Sequence, residues 1–324
     1  MMPATLHRLR SVQAPAAVVM VRPHRFLPNP QTAHDNTFQR AGDGLGMAAI
    51  AAGAFEEAGA VAAALVKAGV RVHLFDDHGE HGTPDSVFPN NWVSTHAGGH
   101  VALYPMFSPN RRHERRADII EMLKAEYRVQ DVIDYSGLEA DGLYLEGTGA
   151  MVLDHVERVA YVVQSNRASA VALERFCTHF NFEPMVFEAV DHGGRAVYHT
   201  NVMLCIGSAF ALIAPAMIRD PVRRGEVLER LAQSGRELVL LSEHQIGQFA
   251  ANALELASAD GPIVAMSSRA LAALDAGQRR IIEGSARIVA VPVPTIELAG
   301  GSVRCMLAGI HLAPRNAGGG APCM

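Results

Sequence analysis

The chain has 324 residues, of which 49% are hydrophobic and 19% are charged, a composition typical of a globular protein with a substantial core. Its net charge of −5 and pI of about 6.3 exclude the strongly basic surface by which many proteins bind nucleic acid. The cysteines have no CxxC spacing, so the sequence predicts neither a zinc site nor a disulfide framework, and reduced thiols favour a cytoplasmic protein.

Short apolar runs alternate with alanine-rich amphipathic stretches along the whole chain. The apolar runs predict strands at residues 16–21, 70–75, 100–104, 150–153, 159–163, 202–206, 210–214, 238–241, 263–266 and 288–291. The amphipathic stretches predict helices at residues 47–68, 112–127, 168–180, 221–234 and 268–284. Strands often come in pairs before a helix, which differs from the strict alternation of a doubly wound sheet, so we expect another kind of α/β protein.

The two chain ends differ in composition from the segment between them. No composition break divides that segment, so we expect one domain at residues 16–312, with a flexible leader at 1–15 and a flexible tail at 313–324. The apolar run at 14–21 is too short to span a bilayer and is not followed by a cleavage site, which indicates a buried strand. Cys323 lies in the tail, where a nucleophile could not be held in place.

Two patterns imitate ligand sites and are set aside. The glycines of residues 42–46 (GDGLG) precede a helix, as in a dinucleotide-binding fingerprint, but the polar stretch before them is unlike the strand that this fingerprint requires. Histidines occur at 78, 81, 96 and 100, with Glu80 among them, but without the helical spacing that brings two imidazoles to one ion. We therefore expect no cofactor and no metal.

Four polar, turn-rich segments lie between apolar strands, where a rigid scaffold presents reactive groups. They are residues 83–92 (TPDSVFPNNW), 145–149 (LEGTG), 198–202 (YHTNV) and 300–306 (GGSVRCM). Together they offer a thiol, an imidazole, carboxylates and side-chain amides. Each residue alone has a structural interpretation: a free cysteine is often a small buried hydrophobe, and Cys177 and Cys205, within a helix and a strand pattern, keep that interpretation.

These segments, in this order, resemble the amidinotransferase and arginine deiminase superfamily, which includes dimethylarginine dimethylaminohydrolases and agmatine deiminases. The resemblance covers residues 16–312. Residues 21–39, DSVFPNNW and GGSVRCM are most similar to one branch, the arginine-deiminase-related citrulline utilisation hydrolases. The resemblance implies an α/β-propeller (pentein) fold, with five ββαβ modules around a pseudo-fivefold axis and the site at the centre.

The same resemblance implies roles for individual residues. Cys305 matches the family nucleophile, His199 the general acid/base and Glu146 the acid of the EGG-type motif. Asp85 matches the first acid of the substrate-binding segment. The chemistry is consistent, because a planar guanidine or urea carbon is a poor electrophile that a thiolate can attack through a covalent intermediate. His199 could protonate the departing nitrogen and then activate water.

Other polar residues are candidates for holding the substrate. Arg111 and Arg112 resemble the segment that binds the substrate α-carboxylate, with Arg112 slightly favoured, although a solvated helix start would look the same. Asn36, in the opening loop, is a weaker candidate. Asn91 and Asn201 occupy positions where guanidine-binding members carry aspartate. An amide can donate to a ureido oxygen and still accept an N–H, so this pair favours a ureido substrate.

The sequence therefore predicts a C–N hydrolase that forms a covalent Cys305 intermediate on the ureido group of citrulline, giving ornithine, ammonia and carbon dioxide. Arginine deiminase or dimethylarginine dimethylaminohydrolase activity is the alternative, and an amidinotransferase with an amine acceptor is left open. From another class, a non-catalytic pentein binding module has no reason to keep Cys305, His199 and Glu146 together. The expected partner is a small amino acid, not nucleic acid or a membrane, and homo-oligomerisation is left open.

Overall fold

The computed structural model describes residues 11–40, 44 and 46–315. Within them the strands are β1 (Ala17–Pro23), β2 (Arg71–Asp77), β3 (Val93–His96), β4 (His100–Leu103), β5 (Asp131–Asp134), β6 (Met151–Asp154), β7 (Val159–Val163), β8 (Glu183–Phe187), β9 (Leu204–Ile206), β10 (Phe210–Ile213), β11 (Glu237–Leu240), β12 (Leu254–Ser258), β13 (Gly261–Ser267), β14 (Arg287–Val291) and β15 (Ala308–Gly309). The α-helices are α1 (Met47–Lys67), α2 (Ala117–Glu126), α3 (Gly147–Ala150), α4 (Ala170–Phe180), α5 (Pro221–Ala232), α6 (Glu243–Ile246), α7 (Ser268–Ala273) and α8 (Ala276–Glu283).

The strands form five three-stranded sheets of one connectivity, in the orders β15–β1–β2, β3–β4–β5, β6–β7–β8, β9–β10–β11 and β12–β13–β14. In each sheet the middle strand is antiparallel to the first strand and parallel to the third. The two parallel strands are joined through a helix, as parallel pairing requires a crossover. The chain is thus an α/β protein.

The C-terminal part of the chain completes the first sheet. β15 pairs with β1 through Val18 with Gly309 and Val19 with Ala308. Both faces of β1 are buried, with Val18 and Met20 in one core cluster and Ala17, Val19 and Val21 in another, so this central strand is covered by parts of the chain that are far apart in sequence. The single domain at residues 16–312 stays a prediction.

The inner ends of the predicted leader and tail make contacts with the rest of the protein. Gln13 is buried, and its amide donates to the carbonyls of Leu153 at 3.0 Å and Ile206 at 3.1 Å. At the other end, the backbone N–H of Arg315 donates to the carbonyl of Glu126 at 2.9 Å. Residues 1–10, 316–324 with Cys323, and most of the GDGLG segment lie outside the described residues.

Each predicted strand overlaps an observed one, but two predicted helices differ. The helix predicted at 112–127 begins at Ala117, because Pro109–Glu114 forms a 3₁₀ turn that commits its side chains to buried contacts. The helix predicted at 268–284 divides into α7 and α8, because Asp275 caps α8 by accepting from the N–H of Gln278.

Helix α1 is, among the described residues, long and apolar enough to cross a membrane by length and composition alone. One face of this helix, including Ala54, Ala58 and Val61, is buried in a core cluster with residues of β1. A helix that packs on a sheet meets the same criteria, so the composition of α1 is weak evidence for a membrane span.

A short turn precedes the first strand of every sheet. These turns include the 3₁₀ segments Pro89–Asn91, Thr200–Val202 and Val303–Met306, helix α3, and the turn at 249–252. They carry Asn91, Asn201, Cys305, Glu146 at the start of α3, and Asn252, respectively. Contacts between α3 and the first two turns, and between the first and third turns, bring these segments together. The next residue after Asn91, Trp92, is buried in the core.

Candidate active site

Cys305 lies in the Val303–Met306 turn and is buried, with 6% of its surface exposed. Its Sγ accepts hydrogen bonds from the amide Nδ2 of Asn201 at 3.3 Å and of Asn252 at 3.2 Å. The preceding glycines allow the chain to turn and pack closely at this point: Gly300 has a φ of +80°, and a Cβ on Gly301 would lie 2.7 Å from the ring of Phe88. The sulfur is therefore held by two N–H donors, the groups that a thiolate accepts from.

His199 and Glu146 form a buried pair, with Nε2 of the imidazole 2.8 Å from Oε2 of the carboxylate. Burial lowers the pKa of His199, although the hydrogen bond to Glu146 opposes this shift. Burial acts to raise the pKa of Glu146, but the charge of Arg167, the bond to His199 and the charge of Arg111 together bring it below the ordinary value. Glu146 is therefore ionised and orients the imidazole.

Two glycines of the LEGTG segment allow this pair to approach the DSVFPNNW segment. A Cβ on Gly149 would lie 2.1 Å from Nδ2 of Asn91 and 2.9 Å from Nδ1 of His199. Gly147 has a φ of +46°, and its Cβ would lie 2.4 Å from the carbonyl oxygen of Asn90. Only glycine fits either position without displacing a site residue.

Arg111 is buried and is shared by three carboxylates. It donates to both oxygens of Glu114, at 2.8 and 2.9 Å, and lies 3.6 Å from Asp85 and 3.7 Å from Glu146. Burial raises the pKa of Asp85, and raises the pKa of Glu114 to about 7, in spite of the opposing charge of Arg111. A further N–H of Arg111 donates to Oδ1 of Asn91 at 3.2 Å. Arg111 thus fixes the side chain of Asn91.

One cavity of about 290 Å³, including the space open to solvent, contains most of these groups. Its walls include Cys305, His199, Asp85, Asn91, Asn36, Arg111, Arg167 and Tyr198. Two of its lining residues have a buried polar atom without a hydrogen-bond partner, namely Oδ1 of Asp85 and Nδ2 of Asn91. The same holds for Oδ1 of Asn201 and of Asn252, the two residues that contact the sulfur of Cys305. Buried polar atoms without partners are rare and mark a place where a ligand can bind.

Three of the predicted substrate-binding residues make contacts within the chain. Arg112 does not line this cavity; its guanidinium donates to the carbonyls of Met106 and Phe107. Arg111 does line it, but carboxylates of the chain already share its guanidinium, and the guanidinium of Arg112 lies 3.5 Å from Glu139. A role for either arginine in binding a substrate carboxylate stays a prediction. Asn36 lines the cavity, but its amide donates to Ala299 and accepts from the N–H of Phe38, so it braces two loops.

Three residues that sequence reasoning missed belong to the site. Asn252 contacts the sulfur, and Asn29 donates to Oδ2 of Asp85 at 2.8 Å. Arg167 donates to Asp35 through two nitrogens, at 3.0 and 2.5 Å, and lies 3.4 Å from Glu146. The only signal for Asn252 is its position before a strand that the sequence did not reveal. Arg167 follows β7, but nothing in its neighbours distinguishes it.

The other described cysteines lack such surroundings. Burial raises the pKa of both Cys177 and Cys205 to about 12, so each is an inert thiol at neutral pH. Among the described residues, no group of three or more His, Cys, Asp or Glu side chains is placed to hold a metal ion.

Solved structures show the same fold. The N-terminal domain of ArgZ, a cyanobacterial arginine dihydrolase, in a cysteine-to-serine mutant bound to substrate, superposes with a TM-score of 0.67 at 17% identity over 91% of this chain and 97% of that domain. A complex of AgrE with L-arginine gives a TM-score of 0.70 at 18% identity over 93% of this chain and 41% of that protein. A dimethylarginine dimethylaminohydrolase adduct with 4-chloro-2-hydroxymethylpyridine gives 0.62 at 18% identity over 92% and 100%.

The sequence also matches the model of a known protein family. The model described as N,N dimethylarginine dimethylhydrolase, eukaryotic, matches residues 22–312, nearly the whole described chain. No protein in the curated set matches significantly. The chain belongs to this dimethylarginine dimethylhydrolase family, within the amidinotransferase and arginine deiminase superfamily, and is a hydrolase acting on carbon–nitrogen bonds.

Proposed function

We propose that the enzyme hydrolyses the terminal ureido group of citrulline, giving ornithine, ammonia and carbon dioxide. The orientation of Asn91 is the observation that carries this choice. The guanidinium of Arg111 can only donate hydrogen bonds, so Asn91 must turn its Oδ1 toward Arg111. This orientation leaves Nδ2 of Asn91 buried and without a partner. The oxygen of a ureido substrate could accept from this N–H, whereas a guanidinium substrate would place one of its own N–H groups against the N–H of Asn91.

The remaining unpaired atoms suit the rest of a ureido group. Oδ1 of Asp85 and Oδ1 of Asn201 are acceptors, which the substrate N–H groups could fill. A buried polar atom left without a partner costs about 1–3 kcal/mol, so a ligand that pairs these two acceptors and Nδ2 of Asn91 gains affinity. The ureido group has both the donors and the acceptor that this set requires.

The reaction would proceed in two steps. The sulfur of Cys305 attacks the ureido carbon, and His199 gives a proton to the terminal nitrogen, which leaves as ammonia and an S-carbamoyl intermediate remains. His199, now neutral, takes a proton from water as that water attacks the same carbon. The carbon–sulfur bond breaks to release the Cys305 thiolate while His199 keeps the proton taken from water, and the released carbamic acid divides into ornithine and carbon dioxide.

A guanidino substrate is the second candidate, because the buried cluster carries an excess of carboxylate. Asp35, Asp85, Glu114 and Glu146 surround only Arg111 and Arg167, four acids against two permanent cations. A cationic substrate would lower this excess. The raised pKa values of Asp85 and Glu114 show another way to relieve it, since protonation of either acid neutralises the cluster for a neutral substrate.

The five sheets themselves, we propose, are arranged about a pseudo-fivefold axis. A single cavity lined by residues of β3, β6, β9, β12 and β15 supports this arrangement, because the first strand of every sheet then faces a common centre. We also propose a cytoplasmic location, since the described cysteines are free thiols and the nucleophile must stay reduced.

Steady-state kinetics on the purified protein tests the substrate assignment. Citrulline, arginine, dimethylarginine and agmatine are offered separately, and mass spectrometry identifies the products. We expect kcat/KM for citrulline to exceed that for arginine by more than about tenfold, since a misplaced buried polar contact costs at least that much. Cys305→Ala should abolish turnover, which excludes a contaminating activity, and Cys205→Ala should retain it. Equal or faster turnover of arginine would overturn the citrulline assignment.

The two amides provide a second arm of the test. The double change Asn91→Asp with Asn201→Asp puts carboxylates in place of the unpaired N–H of Asn91 and of the Asn201 amide, whose Oδ1 is a neutral acceptor and whose N–H contacts the sulfur of Cys305. We expect it to lower citrulline turnover and to improve the binding of guanidino ligands, because a carboxylate faces the ureido oxygen unfavourably and the guanidinium favourably. If guanidino affinity does not improve, the amides do not set substrate charge.

A further inference from the structure

Asn252 is buried in the turn that precedes β12. Helix α6 begins with a reciprocal capping box between Ser242 and Gln245, and the chain then turns at Phe249, whose φ is +62°. This left-handed conformation is rare for an aromatic residue, and such strain is concentrated at functional sites. The N–H of Asn252 donates to the carbonyl of Phe249 at 2.8 Å, and only 1% of Asn252 is exposed.

The orientation of the Asn252 amide is fixed by its neighbours. Nδ2 lies 3.4 Å from the backbone carbonyl oxygen of Asn201 and 3.2 Å from Sγ of Cys305. A carbonyl oxygen only accepts, so the NH₂ side of the amide must face this pair. The sulfur therefore receives an N–H from Asn252 in addition to the one from Asn201.

The imidazole does not supply this contact. His199 directs Nε2 to Glu146, and among the described residues no hydrogen bond joins His199 to Cys305; the sulfur is bonded by the two amides alone. In many cysteine hydrolases an adjacent imidazolium stabilises the thiolate. A site without that contact needs another source of positive potential at the sulfur.

We propose that Asn252 is a catalytic residue that, together with Asn201, holds Cys305 in its thiolate form by donating an N–H to Sγ. The two N–H donors replace the imidazolium that stabilises the thiolate in a cysteine–histidine pair. His199 is then free for proton transfer at the substrate nitrogen. The effect on turnover rests on the proposed function, but the effect on the reactivity of Cys305 does not.

Alkylation of Cys305 by iodoacetamide, followed by peptide mass spectrometry, tests the proposal without any substrate. In Asn252→Ala we expect the alkylation rate near neutral pH to fall about tenfold, because the thiolate loses one charge-assisted hydrogen bond. In Asn252→Asp, which keeps the shape but places a carboxylate beside the sulfur, we expect a larger fall. In both variants the rate should approach that of the wild type at high pH, where the thiol is ionised without help.

Asn181→Asp is the matched control. Asn181 is exposed at the end of α4 with a φ of +53°, a conformation that aspartate tolerates, so this change adds the same charge away from the sulfur. It should leave the alkylation rate unchanged. Circular dichroism and the melting temperature establish that each variant is folded.

The outcomes are distinct. A folded Asn252→Ala or Asn252→Asp protein that is alkylated at the wild-type rate near neutral pH would overturn the proposal, and the near-isosteric aspartate decides if the alanine variant does not fold. A variant equally slow at high pH would also overturn it, because the amide would then control access and not ionisation. Slow alkylation together with no citrulline turnover by the wild type would reject only the proposed substrate.

Discussion

Glu114 is the residue in which the electrostatics of the site can be measured most directly. It is buried and bonded to Arg111 through both oxygens, yet Asp85 and Glu146 share the same guanidinium. Burial, with these two negative charges adding to it, raises the pKa of Glu114 to about 7. One cation cannot neutralise three buried carboxylates, so a proton is retained in the folded protein.

This shift predicts how stability depends on pH. The folded protein binds the Glu114 proton more tightly than the unfolded chain, so the contribution is complete below the unfolded pKa of roughly 4.3 and is lost as the pH rises through about 7. Glu114→Gln imitates the protonated acid and can still accept from Arg111. Between those two pH values we expect its free energy of unfolding to decrease less than that of the wild type. Urea denaturation of both proteins at several pH values measures this difference.

The exposed pair of Glu121 and Lys124 provides the control for this experiment. Glu121→Gln removes a carboxylate whose charge is solvated, so the pH profile of stability should match that of the wild type. Parallel profiles for Glu114→Gln and the wild type would show that Glu114 is ionised in the folded protein at neutral pH.

At this scale the sequence predicted those residues that belong to recognisable motifs. Cys305, His199 and Glu146 lie in segments whose polar composition is unusual beside apolar strands, and the structure places them in or at one cavity. Arg111 and Arg112 are adjacent, so no local pattern could tell that one is buried among carboxylates and the other contacts carbonyls. That difference depends on the fold around them.

Elements that the sequence missed are those with a weak hydrophobic pattern. β3 and β5 contain polar residues, β8 contains Pro184, and β15 has only two residues. Pairing with a neighbouring strand, and not intrinsic propensity, determines their structure. Because β12 was also missed, the significance of Asn252 directly before it could not be recognised.

Helix α3 has only four residues, but its glycines determine how closely three turns can meet. Gly149→Ala should therefore reduce kcat strongly with a small change in melting temperature. Its Cβ would collide with Nδ2 of Asn91 and Nδ1 of His199, so both side chains must move. A displacement of about 1 Å in a catalytic group can cost about a hundredfold in rate.

Gly225→Ala is the control for Gly149→Ala, because it makes the same substitution at a helical position away from the site. Gly225 lies within α5, and a Cβ there would meet nothing within 4 Å. Alanine should stabilise that helix by a few tenths of a kcal/mol to about 1 kcal/mol and leave kcat unchanged. Wild-type kcat in Gly149→Ala would mean that the contact between α3 and Asn91 is not needed for catalysis.

At the scale of the whole molecule, the site is assembled from the turns that precede the first strands of the five sheets. One turn supplies Cys305, another Glu146, and the remaining three supply Asn91, Asn201 and Asn252. Residues far apart in the chain thus meet because the same local design is repeated. No single sheet contains enough groups for the reaction, so the activity depends on the complete set.

The C-terminal segment gives the last prediction, because it completes the first sheet. Ala308, Ile310 and Leu312 are buried in a cluster with residues of β1 and Trp92. Burial of a side chain such as isoleucine or leucine contributes about 1.5–3 kcal/mol, so removal of both takes away a large part of the roughly 5–15 kcal/mol by which a typical domain is stable.

Two truncations separate this contribution from that of the residues beyond it. A chain that ends at Leu307 keeps Cys305 but loses β15, the strand that pairs with β1. We expect it to melt at a much lower temperature or not to fold, and to be inactive, because β1 then exposes an unpaired edge and Ala17 and Val19 lose their cover. A chain that ends at Arg315 keeps these contacts and lacks Cys323, and should retain the melting temperature and kcat of the full chain. Thermal melting and steady-state turnover of both truncated chains and of the full chain test these two expectations. Unchanged stability of the shorter variant would show that the β1–β15 pairing does not hold the fold together.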